Sequence, residues 1–370
     1  MSDEVVVTVF GTRPELVKLC MVIEEMDRRF DNHVIVHTDQ HYDYDMDQLF
    51  MEELEIRAPD HRLSQRSENP VEQLGAMISQ LSHVYGEVKP DVVVVLGDTN
   101  STLAGALAAK KSGVLLSHIE AGCRSHDKTM PEEQNRVVVD HISDILFAPS
   151  RIGVENLRDE GITGPSVHLV GSTLIDVCRR NLEIARSKSK VDLPERYALV
   201  TIHRAANIQD RNRLQAILDS VEIISESIPV VFPVHPHTSK MMKRWQMTPA
   251  SEGLKICPPL GYLDFLKALA GAEFVLTDSG GVQQEAQVLG VPILTARKET
   301  EWVETVECGG CRLVDADAEA IIQNSLRIIN DDEFRASFSR RGSPYSETEV
   351  SKKIAEILFE SLQWRGTVKS

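Results

Sequence analysis

Acidic side chains fall where a parallel sheet would deliver them to a ligand. Asp98 follows the apolar run Val92 to Leu96 and Gly97, Glu120 ends the run Val114 to Ile119, and Glu132 and Glu133 come shortly after. In an open α/β sheet, ligands bind at the carboxyl ends of the strands. Carboxylates gathered there are equipment for general acid–base work, in which one group takes a proton and another returns one. A second constellation suits anions. In Thr277-Asp278-Ser279-Gly280-Gly281-Val282-Gln283-Gln284-Glu285, a strand ends, Ser279 caps a helix, and two glycines let a ligand approach bare amides. A helix N-terminus attracts negative charge, so Ser279, Gly280 and Gly281 read as a pyrophosphate cradle. Glu285 sits about one and a half turns in, placed to accept from sugar hydroxyls.

Gly11-Thr12-Arg13-Pro14-Glu15 breaks the strand Val5 to Phe10 and opens a helix, with Pro14 in its first turn. Arg13 and Lys18 beside free amides read as another phosphate site. The pattern is not GxGxxG, so nothing argues for a dinucleotide cofactor. His203-Arg204 follows the strand Tyr197 to Ile202, and His203 reads equally as structural or as catalytic and phosphate-binding. His235-Pro236-His237 ends another strand. His235 reads as packing or a nucleotide contact, because two histidines without a third ligand are a weak zinc signal. Asp43, Asp45 and Asp47 invite a calcium reading that fails, since Gln48 and Leu54 stand where such a loop needs Gly and Glu. Cys308-Gly-Gly-Cys311 has no second pair and reads as ordinary turn cysteines. No metal and no cofactor is expected.

The elements that must position these residues alternate strand and helix. Strands are expected at 5–10, 34–38, 92–96, 114–119, 145–148 and 167–170, then at 197–202, 230–234, 273–277 and 291–295. Helices are expected from Pro14, over 68–87, through the alanine-rich 104–109, over 133–143, and then over 211–226, 262–270, 281–289 and 317–330. The charged stretch from Asn181 to Pro194 reads as a linker. The fold class is therefore α/β, two Rossmann-like doubly wound domains with an interdomain cleft. The expected domains are 1–175 and 192–345. A last helix starts at Ser346, with Glu349 completing a capping box, and 346–370 packs back on the first domain.

At 370 residues the chain is long for one domain and natural for two. A formal net charge of −16 gives a nucleic-acid role little support. No apolar run approaches the roughly 20 residues that span a bilayer. The chain enters its first strand directly, so a cytoplasmic protein without a membrane partner is expected.

GTRPE with Lys18, LGDTNSTLAG, HIEAGCRS, MPEEQNR, LVTIHRAAN and TDSGGVQQEA together resemble the non-hydrolysing UDP-N-acetylglucosamine 2-epimerases. The likeness extends over nearly the whole chain, in order and at similar spacing. It implies the GT-B fold and reversible conversion of UDP-N-acetylglucosamine to UDP-N-acetylmannosamine. The implied route is anti-elimination of UDP to a 2-acetamidoglucal, followed by its return. It implies a UDP-sugar partner, a homodimer, and neither metal nor redox cofactor. Carried over residue by residue, it makes Asp98, Glu120, Glu132 and His203 catalytic. It gives Arg13, Lys18, Arg136, His235, Ser279, Gly280, Gly281 and Glu285 to substrate, with Glu285 on the ribose. Gln40, His41 and Arg66 resemble parts of a regulatory UDP-N-acetylglucosamine site. The chain departs at Ala206 and Gln284, where glutamate is common, and at Trp302, where arginine is common. Alternatives are a 2-epimerase of a modified sugar such as UDP-diacetamido-glucuronate, a hydrolysing epimerase, a GT-B glycosyltransferase and a non-catalytic nucleotide-sugar binder.

Overall fold

The computed structural model describes residues 2–40, 51–64, 67, 69–339, 344, 345 and 348–369. Its chain divides into two compact units, Met1–Val177 with Tyr345–Ser370, and Cys178–Pro344.

The first unit is built on a parallel sheet in the order β3-β2-β1-β4-β5-β6-β7. Its strands are β1 (Ser2–Phe10), β2 (Phe30–His37), β3 (His61–Arg62), β4 (Val92–Leu96), β5 (Leu115–Ile119), β6 (Ile145–Ala148) and β7 (Val167–Leu169). β4 is five apolar residues, all buried, as a strand covered by helices on both faces must be. Alternate residues of a strand face opposite sides. Val7, Val9, Val93 and Val95 accordingly share one core with helices Pro70–Val88 and Asn100–Lys111. The helix Val350–Lys369 packs on helix Arg13–Arg29, with the rings of Phe30 and Phe359 5.9 Å apart.

The second unit has a parallel sheet in the order β10-β9-β8-β11-β12-β13. Its strands are β8 (Ala198–Thr201), β9 (Val230–Pro233), β10 (Leu254–Cys257), β11 (Phe274–Thr277), β12 (Ile293–Thr295) and β13 (Cys311–Leu313). Ala198, Val200, Phe274 and Leu276 enter one core, while Leu199 and Val275 enter another across the sheet. Each of the valine, leucine and phenylalanine side chains contributes roughly 1.5–3 kcal/mol on burial. The fold class is thus α/β with two Rossmann-like units. Among the described residues, no helix is long and apolar enough to cross a membrane.

Two local expectations fail. The stretch read as a linker is largely the helix Leu174–Lys188, and Asn181 within it is fully buried. Its charges belong to the exposed side of a helix rather than to a flexible tether. The last helix begins at Val350 rather than Ser346. Glu349 has a left-handed backbone and pairs with Lys352 instead of closing a capping box, and Ser346 lies outside the described residues.

Candidate active site

In the first unit the strand order reverses between β1 and β4, and the candidate residues cluster on the turns at that edge. The turn after β1 carries Arg13 as the first residue of its helix, with Lys18 one turn further. Lys18 Nζ lies 2.7 Å from the Glu120 carboxylate, and both side chains are largely enclosed. Burial works against the ammonium of Lys18. Glu120, with a smaller contribution from Asp98, outweighs it and holds the pKa above the ordinary lysine value. Glu120 itself has φ 71°, a left-handed backbone that a side chain of its size rarely adopts. Backbone held in that region is characteristic of functional turns.

Asp98, on the turn after β4, is paired with Arg136 of the helix Pro131–Ile142. Arg136 also holds Glu133 at 2.9 Å and is almost fully buried. Glu133 further accepts from the amides of Ser125 and His126, each at 2.9 Å. Burial raises its pKa, but these donors and Arg136 bring it below the usual carboxylate value. The structure therefore ties Asp98, Glu120, Lys18 and Arg136 into two adjoining ion pairs. Glu132 is half-buried on the first helical turn, and its side chain makes no hydrogen bond or ion pair among the described residues.

Glu15 binds this edge together and was not singled out by its position alone. Its Oε2 accepts from the amides of Gly11 at 3.0 Å and Thr12 at 2.8 Å, and from Thr12 Oγ1 at 2.9 Å. Its Oε1 accepts from Thr99 Oγ1 at 2.7 Å and Thr102 Oγ1 at 3.0 Å. One carboxylate thus joins the Arg13 turn to the Asp98 turn. Burial pushes its pKa above the ordinary glutamate value despite those donors. Gln40 is also part of this framework, accepting from Ser101 N at 3.0 Å and Ser101 Oγ at 2.7 Å. His41, Arg66 and the acidic run Asp43 to Asp47 lie outside the described residues.

In the second unit the order reverses between β8 and β11. Asp278, fully buried at the end of β11, accepts from the amides of His203 and Arg204, each at 3.0 Å, and from Asn207 Nδ2 at 2.9 Å. It thereby fixes the turn after β8. Loss of surrounding water pushes the His203 pKa below the ordinary histidine value, aided by Arg204 and opposed by Asp278. The rings of His203 and His235 are 5.6 Å apart, and His235 caps the helix Pro236–Arg244.

Ser279 caps the helix Gly280–Leu289, and Glu285 is buried within that helix. The two glycines differ. A Cβ on Gly280 would come within 2.4 Å of Glu301 Oε1 and 2.8 Å of Trp302 Nε1. The space a side chain would fill there is taken by Glu301 and Trp302. A Cβ on Gly281 would meet only Ser279 Oγ, at 3.9 Å, so that side stays open. Trp302 is buried, and Glu301 beneath Gly280 is held by Arg297 at 2.8 Å and Arg204 at 3.3 Å. Motif spacing did not single out Asp278, Arg297 or Glu301. A fully charged residue just past a strand end was the available signal for Asp278. Ala206 is exposed. Among the described residues, no group of three or more His, Cys, Asp or Glu could hold a metal ion.

Comparison with known proteins adds the following. The sequence model of the family "UDP-N-acetylglucosamine 2-epimerase" matches residues 24–359. A UDP-N-acetylglucosamine 2-epimerase of Methanocaldococcus jannaschii is 42% identical over 87% of this chain and 91% of its own length. A UDP-2,3-diacetamido-2,3-dideoxy-D-glucuronate 2-epimerase of Pseudomonas aeruginosa is 37% identical over 95% of this chain and 99% of its own. The crystal structure of a Methanocaldococcus jannaschii UDP-GlcNAc 2-epimerase in complex with UDP-GlcNAc and UDP superposes with a TM-score of 0.87. That match has 38% identity and covers 97% of this chain and 100% of the other.

Proposed function

The chain belongs to the UDP-N-acetylglucosamine 2-epimerase family, and from that premise we propose that it interconverts UDP-N-acetylglucosamine and UDP-N-acetylmannosamine without hydrolysis. One observation carries the reading. Two carboxylates at the switch edge of the first unit, Asp98 and Glu120, are each held by a cation, Arg136 and Lys18.

The C2 proton of the sugar is weakly acidic, so a positioned carboxylate takes it as the C1–O bond breaks. The C–H electron pair forms the C1–C2 double bond, and UDP leaves with the electrons of the C–O bond. A 2-acetamidoglucal remains. UDP then adds back at C1 while a second acid delivers a proton to the opposite face of C2. Asp98, Glu120 and Glu132 supply the carboxylates for these two transfers, each typically worth about 10²–10⁴ in rate. In the second unit His203, His235 and the amides of Ser279, Gly280 and Gly281 hold the diphosphate, and Glu285 takes the ribose hydroxyls. The depressed pKa of His203 leaves its ring neutral near pH 7, able to donate a hydrogen bond without carrying charge. A site holding the glycal until UDP returns is what separates this reaction from hydrolysis.

Proton NMR of a reaction with UDP-N-acetylglucosamine in D₂O tests the proposal. Deuterium should appear at C2 of both epimers while UDP stays attached. Free N-acetylmannosamine would instead mark a hydrolysing enzyme, and UDP binding without exchange at C2 a non-catalytic binder. A second reading, a diacetamido-glucuronate as substrate, draws on the Pseudomonas aeruginosa relative and on Trp302. It also draws on two guanidiniums, Arg204 and Arg297, facing the single carboxylate of Glu301. Comparing kcat/KM for the two sugars decides between them.

A further inference from the structure

The turns that carry Asp98 and Glu120 both pass through left-handed backbone, with φ 76° at Gly97, 71° at Glu120 and 80° at Gly122. The glycines adopt it freely, but Glu120 holds it only because its surroundings over-determine it. One fully buried ring reaches both. His118, on β5 two residues before Glu120, sets Nε2 2.8 Å from the carbonyl oxygen of Gly97 and Nδ1 2.6 Å from Asp140 Oδ1. Both partners are acceptors, so the neutral ring donates to one of them and an imidazolium to both. Asp140 Oδ2 accepts from the amide of Gly122 at 2.9 Å and lies 2.7 Å from Arg124 Nη1. Burial opposes the charge on Asp140, but His118 and Arg124 hold its pKa below the usual carboxylate value. Arg124 is clasped in turn by both oxygens of Glu160 at 2.7 Å. His118 is sealed from solvent and so from substrate.

We propose that His118 is a positioning residue: by holding the Gly97 carbonyl from β5, it sets where Asp98 stands relative to Glu120. This rests on the epimerase reading above. Proton transfer at one carbon by two carboxylates demands a fixed separation, and a misplacement of about 1 Å can cost about 10²-fold. A clamp between the two turns acts on the rate of transfer and leaves nucleotide binding alone.

Two substitutions separate the ends of the ring. His118→Asn keeps a donor near the Nδ1 position, toward Asp140, and removes the one to Gly97. His118→Gln keeps a donor near the Nε2 position, toward Gly97, and removes the one to Asp140. For each, kcat and KM with UDP-N-acetylglucosamine, the Kd of UDP by calorimetry, and thermal unfolding are measured. His118→Asn should lower kcat about 10- to 100-fold, with KM and Kd within about threefold of wild type. His118→Gln should recover most of that rate. The proposal is overturned if the folded Asn variant turns over at the wild-type rate, if UDP affinity falls in step with kcat, or if Gln does no better than Asn. Should the Asn variant not fold, the Gln variant decides alone, and a kcat more than about tenfold below wild type overturns the clamp. Failure of the epimerase reading looks different: the wild type itself then places no deuterium at C2.

Discussion

The first six strands of the first sheet and the six of the second follow one order, with the third, second, first, fourth, fifth and sixth strands as successive neighbours. Both units reverse that order beside their first strand, and both place polar turns there. What they place differs. The first unit gathers carboxylates and gives each a cation, Asp98 with Arg136 and Glu120 with Lys18. The second uses Asp278 to tie down main chain and leaves a helix start, an open glycine and a histidine ring at the edge. The scaffold decides where a ligand can sit, and the turns decide what can be done to it. We propose a division in which the first unit works on the hexose and the second grips the nucleotide.

The sharpest way to break that division is to neutralise one acid. Asp98→Asn should lower kcat by about 10³-fold or more, with UDP affinity within about threefold, because the amide keeps the shape and removes the base. Steady-state kinetics beside UDP calorimetry checks this, and a wild-type rate would remove Asp98 from the chemistry. The converse change belongs in the second unit. Gly281→Ala meets open space, so it should leave stability unchanged or raise it by about 0.4–1 kcal/mol. If UDP lies on those amides, its affinity should still fall about tenfold, or about 1.4 kcal/mol. Unchanged affinity would take the nucleotide away from Gly281. Gly280→Ala serves as the contrast. Its Cβ would strike Glu301 and Trp302, so it should cost about 1–3 kcal/mol of stability in a melting curve.

The same comparison shows what a linear reading can reach. Strand ends were legible, because β4 is an unbroken apolar run and β5 is apolar but for Ser117 and His118, the composition expected of a parallel strand covered on both faces. Asp98, Glu120 and Ser279 could therefore be placed at switch edges before any coordinates. Partnerships across the fold were not legible. Glu15 meets Thr99, His118 meets Asp140 and Glu301 meets Arg204, pairs 84, 22 and 97 residues apart, and no local spacing encodes them. The packing of Glu301 and Trp302 against Gly280 was hidden for a related reason, since a glycine that leaves room for a neighbouring side chain looks like any other in the sequence. The helix Leu174–Lys188 was misjudged because its charged side hid a buried one.

Glu15 of the first unit and the half-exposed His203 of the second should also answer pH with opposite sign. The folded-state pKa of Glu15 is raised, so the folded chain binds more protons than the unfolded one just above the ordinary glutamate value of 4.5. Its contribution is full below that value and is lost as pH rises through the folded pKa. Glu15→Gln removes this dependence. It also sets an amide N–H against some of the five donors around Glu15, so it should cost about 1–3 kcal/mol at low pH, with a smaller deficit at neutral pH. A pH series of melting curves checks both, and a deficit that widens with pH would contradict the assignment.

His203 offers the finest test. Its folded pKa is depressed below 6.5, so between the two values the unfolded chain binds more protons. Stability from this group is present above the unfolded value and is lost as pH falls toward the folded one. His203→Gln, which cannot titrate, should therefore gain on the wild type as pH falls from about 7.5 to about 5.5. UDP affinity of the wild type should rise over the same interval, since protonation adds a positive charge where a diphosphate binds, while that of the variant stays flat. If affinity does not change with pH in the wild type, His203 does not face the diphosphate. The second unit's grip then rests on the Ser279 and Gly281 amides.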